Sequence, residues 1–202
     1  MDWWTAIFSA AARAGAGVQL AAPDRQGAAM DSTLIVFYSH TGVSRRVARL
    51  LADQQGWPVG EVHEKFALAG RGPLRCVLES VLRLHPRINY NGPNPADFRT
   101  VVLVSPVWAF SLSGPMRSFV HGHRDTLQHV AVLMTMGGAG ASLAAREVAH
   151  ILGRQPVLTA GITQKEVEDG AATQRVQEFA DALRPGGNRR QPADTAWSPL
   201  AG

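Results

Sequence analysis

With a single cysteine, Cys76, in 202 residues, the chain forms no internal disulfide and assembles no cysteine-based metal site. No apolar run approaches the length needed to cross a bilayer as a helix. Blocks of consecutive basic residues are also missing. Arg45-Arg46 and Arg189-Arg190 are only pairs, so no nucleic-acid-binding tail is expected. Acidic residues are in the minority, 16 Asp and Glu against 20 Lys and Arg, for a formal charge of +4. That balance favours an acidic partner or an anionic cofactor, or is simply a solvated surface. The hydrophobic fraction of 46% and charged fraction of 18% exclude wholesale disorder. The length suits one domain with a sizeable core.

The most informative stretch begins at Thr33. Thr33 to Tyr38 is a continuous apolar run rich in β-branched and aromatic residues, the pattern of a strand buried on both faces. Ser39, His40, Thr41, Gly42, Val43 and Ser44 then form a hydroxyl-rich turn, after which Val47, Leu50 and Leu51 recur at helical spacing. Strand, polar loop and helix N-terminus together can enclose a phosphate with amide and hydroxyl donors. The same residues also serve as ordinary helix caps. Neither G-x-x-x-x-G-K-[ST] nor G-x-G-x-x-G is present.

The unit repeats along the chain. Trp57 to His63 is a second strand candidate, and its Pro58 and Gly60 place it at a sheet edge. Gly70 to Pro73 breaks the chain before an amphipathic helix over Leu74 to Leu84, in which Cys76 is read as a buried structural thiol. Asn89 to Pro95 is expected as a turn-rich connection. Thr100 to Ser105 and His129 to Thr135 are further buried-type strands, the second followed by a glycine-rich loop and an alanine-rich helix over Ala141 to Leu152. Pro156 to Ile162 supplies a last strand and Lys165 to Leu183 a last helix. Alternating strands and helices call for a parallel sheet covered on both faces. Ligands of such sheets bind beyond the carboxyl ends of the strands.

Three of these carboxyl-end loops carry a resemblance to the flavodoxin-like family. Ser39-His40-Thr41-Gly42-Val43-Ser44 is similar to its phosphate loop, written T/S-x-T-G-x-T. Ser105-Pro106-Val107-Trp108 resembles its G-[ST]-P-V-W segment, continued by Ser113 to Phe119. Thr135-Met136-Gly137-Gly138-Ala139-Gly140 resembles its third loop. The resemblance spans Met30 to Leu183. It implies an α/β three-layer sandwich with a five-stranded parallel sheet of order 2-1-3-4-5, and FMN as cofactor. Ser39, His40, Thr41, Gly42, Val43 and Ser44 would surround the phosphate, with His40 turned to solvent. Pro106, Val107 and Trp108 would border the isoalloxazine, Trp108 stacking on it or serving only as a core aromatic. Ala109 and Phe110 stand where relatives commonly carry a glycine, so Phe110 is placed to narrow or cover the ring site. Thr135, Met136, Gly137, Gly138 and Gly140 would form the other wall, although these glycines also suit a plain turn.

No acid, base or nucleophile stands out, and His121 and His123, at a helix end, are read as structural. That fits cofactor chemistry, and the function that the resemblance implies is that of an FMN-dependent oxidoreductase fed by NAD(P)H or a redox protein. The alternatives are an electron carrier without substrate turnover and an interaction module without flavin. Residues 1–29 are expected to be a mobile extension or the result of an upstream start of translation, and 185–202 a disordered tail, flanking a domain of residues 30–184. A short helix over Trp3 to Arg13 that docks on a surface is the other reading of the front. Asp2 and a short apolar core make a poor secretory signal, and a cytoplasmic location is expected.

Overall fold

The structure is a computed structural model and describes residues 32–65 and 85–184. The expected helix over Leu74 to Leu84 with Cys76, the extension over residues 1–29 and the tail over 185–202 lie outside the described residues.

The elements follow in chain order as β1 Thr33–Phe37, α1 Val43–Gln55, β2 Val59–Glu64, β3 Ile88–Asn91, a 3-10 turn at Pro95–Asp97, and β4 Thr100–Trp108. After these come β5 Ser111–Leu112, α2 Gly114–His123, β6 His129–Met136, α3 Ala141–Leu152, β7 Leu158–Thr163, α4 Gln164–Glu168 and α5 Ala172–Leu183. Among the described residues the sheet has seven strands in the order β3-β2-β1-β4-β6-β7, with β5 paired to β4. This corrects the expected five-stranded sheet to seven strands; the five parallel ones, numbered among themselves in chain order, lie in the expected order 2-1-3-4-5. Five strands pair parallel, β2-β1-β4-β6-β7, while β3 adds antiparallel to β2 and β5 antiparallel to β4.

Each central strand serves two cores because alternate side chains point to opposite faces. Leu34 and Val36 of β1 join one cluster with Met116, Phe119 and Val120 of α2 and Val148 of α3. Ile35 and Phe37 join the other with Val47 and Leu51 of α1 and Val176 and Phe179 of α5. Burial on this scale contributes about 1.5–3 kcal/mol per large aliphatic side chain, which is why the strand sequences read as unbroken apolar runs.

Three further expectations are corrected. First, β2 is not at the edge. Asn89 to Pro95 was expected as a turn-rich connection, but Ile88–Asn91 pairs with β2, Tyr90 opposite Val62. Gly60 is there for space. A Cβ on it would lie 2.2 Å from Tyr90 Oη, and that ring packs 5.1 Å from Phe119. Second, the expected single helix over Lys165 to Leu183 is two, α4 and α5, separated at Asp169-Gly170, where the Asp169 carboxylate accepts the Ala171 N–H at 3.0 Å. Such local side-chain bonding competes with helix continuation. Third, Trp108 is not in a loop. β4 runs through Pro106 and Val107 to Trp108 and turns back as β5.

Candidate functional site

The expected loops after β1, β4 and β6 meet at the carboxyl end of the parallel sheet. The first precedes α1. Gly42 is its N-cap at φ +92°, a conformation that favours glycine. Its N–H donates to Ser39 Oγ at 3.1 Å and its carbonyl accepts from Arg46 N–H at 3.0 Å. No side chain among the described residues caps α1, and its first turn contains no acidic residue. The amides of that turn thus face outward with the positive end of the helix dipole. Thr41 and His40 are exposed and Ser39 is half-buried.

Ser44 points elsewhere. It is buried, and its Oγ bonds Thr135 Oγ1 at 2.7 Å, tying the first turn of α1 to the end of β6. Its hydroxyl therefore faces Thr135, and its backbone amide belongs to the open turn.

The second loop is a hairpin, with Val107 opposite Leu112 and Trp108 opposite Ser111. Ala109 and Phe110 form its two-residue turn at φ +48° and +61°, the geometry usually taken by Asn-Gly. The half-buried Trp108 ring meets Tyr38 edge-to-face at 5.9 Å and His40 at 5.7 Å, so His40, though exposed, also touches the second loop. Phe110 is 59% exposed. The hairpin is anchored by Glu147 of α3, which accepts from Ser111 Oγ at 2.7 Å, from Leu112 N–H at 3.0 Å and from Arg117 Nε. Burial raises the Glu147 pKa. The bonds from Arg117, Leu112 and Ser111 and the Arg117 charge outweigh it and hold the carboxyl below its ordinary value.

The third loop closes against the second. Gly140 caps α3 at φ +109°, and a Cβ there would lie 2.9 Å from Val107 Cγ1 and 3.1 Å from Phe110 Cα. Gly137 and Gly138 have open space around them. Met136 lies over Gly161 of β7, its Cε 2.5 Å from where a Cβ would stand. The geometry thus brings together Ser39, His40, Thr41, Gly42, Val43, Trp108, Phe110 and Gly140. It turns the side chains of Ser44, Thr135 and Met136 inward. Sequence reasoning missed Tyr38, Arg117 and Glu147. The signals for them were slight: Tyr38 ends the first apolar run, and Glu147 stands alone in an alanine-rich helix.

His121 and His123 lie at the far end of α2 from these loops. His123 Nδ1 bonds the Phe119 carbonyl at 2.9 Å and stacks on its ring at 4.3 Å. A surface cavity of about 330 Å³ beside Lys65, His85, Arg87, Ser118 and His121 shares no residue with the three loops. The loops, with converging donors and an aromatic ring, are the better candidate.

The fold is flavodoxin-like, a mostly parallel sheet between helical layers with its distinctive loops at the carboxyl ends. Among solved structures, the chain is similar to a Lactobacillus acidophilus NCFM flavoprotein crystallised in complex with FMN. The TM-score is 0.57 and the identity 17%, over 70% of this chain and 99% of that one. Its apo-form, solved by NMR, matches at TM-score 0.52 and 16% identity, over 68% and 95%. A protein provisionally described as a flavoprotein, from Bacteroides eggerthii DSM 20697, matches at TM-score 0.59 and 17% identity, over 74% and 98%. No protein-family model and no curated protein matches the chain. Among the described residues no helix is long and apolar enough to cross a membrane.

Proposed function

We propose that the chain binds FMN at the three-loop end of the sheet and works as an oxidoreductase, passing electrons from a reduced nicotinamide or a redox protein to an acceptor. One observation carries this reading: the glycine-capped, acid-free N-terminus of α1 opens beside the Trp108 hairpin. The donor set fits the cofactor. Ser39, Thr41 and the amides of Val43 and Ser44 would hold the phosphate, its charge favoured by the helix dipole. Trp108 with Val107, and the open backbone at Gly137 and Gly138, would border the ring system. Bound FMN supplies the hydride and electron chemistry, while the chain binds, orients and shields it. The fold shared with a protein crystallised with FMN supports the same reading. A cytoplasmic setting belongs to it as well.

Phe110 resting on Gly140 favours a second reading, a flavin-free interaction module. Adding FMN to the purified protein and then NADH or NADPH under anaerobic conditions separates the possibilities. Bleaching of the flavin absorbance by a nicotinamide is the expected result. Binding without bleaching supports a carrier fed by a protein donor, and no binding supports the module.

A further inference from the structure

We propose that Arg117 and Glu147 are positioning residues that clamp the Trp108 hairpin in place, which on the FMN reading fixes one wall of the ring subsite. The hairpin cannot hold itself. Its return strand is two residues long, below what a two-stranded ribbon needs for independent stability. Its turn places two side-chain-bearing residues at positive φ, which L residues disfavour. What holds it is on other elements. Ser111 and Leu112 bond Glu147 from α3, while Arg117 from α2 donates to the Leu112 carbonyl at 2.8 Å and to Ser111 Oγ at 3.3 Å. Both polar groups of the buried Leu112 backbone are thereby satisfied by the ion pair.

The pair is largely withdrawn from water, Arg117 buried at 2% and Glu147 half-buried at 11% side-chain exposure. Charges taken from water are costly, and apolar residues of similar volume often replace such pairs without loss of stability. Stability alone is therefore a weak reason for the pair, and hairpin geometry is a direct one. Through the hairpin it sets Trp108 against Tyr38 and His40 and seats Val107 and Phe110 on Gly140.

The test uses the full chain with Glu147→Gln and with the double replacement Arg117→Met plus Glu147→Leu. Hydrogen–deuterium exchange is followed over residues 107–112 without ligand, alongside thermal unfolding and titration with FMN and with riboflavin. Glu147→Gln should speed exchange of the hairpin amides by about tenfold or more, the scale of losing charged hydrogen bonds, with β1 and α1 unchanged. FMN and riboflavin should weaken by the same factor, because the phosphate loop is untouched. The double variant leaves no unpaired charge but strips the Leu112 N–H and carbonyl of both partners, so it should keep the fast hairpin exchange and unfold below the wild-type midpoint. Hairpin exchange that stays at the wild-type rate, or speeds only together with the whole core, overturns the clamp. If the wild type binds neither flavin, the FMN reading fails while the exchange data still decide on the clamp.

Discussion

Three glycines separate two effects that a substitution can have at the candidate site. Gly42 and Gly140 both cap helices at positive φ, +92° and +109°, but a Cβ on Gly42 meets nothing within 4 Å, whereas one on Gly140 meets Val107 Cγ1 at 2.9 Å and Phe110 Cα at 3.1 Å. Gly138 has neither constraint. Gly42→Ala should therefore cost only backbone strain, about 1–2 kcal/mol. Gly140→Ala should cost that strain plus an overpacking penalty of about 1–3 kcal/mol, so about 2–5 kcal/mol in all. The Val107 methyl can shift, but the Phe110 Cα is backbone of a constrained turn, so relief requires moving the hairpin. Gly138→Ala should stay within about 0.5 kcal/mol of wild type. Urea unfolding of the ligand-free chain measures all three. If Gly140→Ala is no more destabilising than Gly42→Ala, the hairpin does not rest on Gly140 and the described meeting of the loops is wrong.

Ala109→Asn should stabilise the fold by about 0.5–1 kcal/mol, because Asn tolerates the left-handed turn geometry better; a destabilised variant in the same urea assay would contradict the turn. Glu147 has a folded pKa below its ordinary value of 4.5, so it contributes stability above that pH and loses it as pH falls through 4.5 toward the folded value. The stability gap between wild type and Glu147→Gln should accordingly shrink below pH 4.5, and a gap that stays constant down to pH 3 would contradict the assignment. Thr41 is exposed, so Thr41→Leu should leave ligand-free stability within about 0.5 kcal/mol. It should weaken FMN about tenfold or more by removing a hydroxyl donor to a charged group and obstructing the cradle. Unchanged affinity in a fluorescence titration would refute that role for Thr41.

Much of the frame was legible because parallel strands buried on both faces must be apolar throughout. Thr33 to Phe37 and the runs opening at Thr100 and His129 could be read directly, and α3 matches its expected bounds of Ala141 and Leu152. β3 was not legible, since Asn-Tyr-Asn looks like a turn. Its strand character depends on Tyr90 reaching Phe119 from a distant segment. The hairpin was hidden for a related reason: Ala109-Phe110 is not a sequence that proposes a tight turn, and only the anchorage by Arg117 and Glu147 makes it one. The break at Asp169-Gly170 did carry a turn signal, overridden by the longer helical periodicity of Val167, Val176 and Phe179. At the site, the three loops were legible as motifs. The inward turn of Ser44 was not, because its partner Thr135 is 91 positions away.

The most direct test of the central claim is a calorimetric titration of the ligand-free protein with FMN and, in parallel, with riboflavin. The N-terminus of α1, capped by Gly42 and by no side chain among the described residues, predicts one FMN per chain, bound at least about tenfold more tightly than riboflavin because only FMN carries the phosphate. Failure to bind FMN, or equal affinity for the two flavins, would contradict the account.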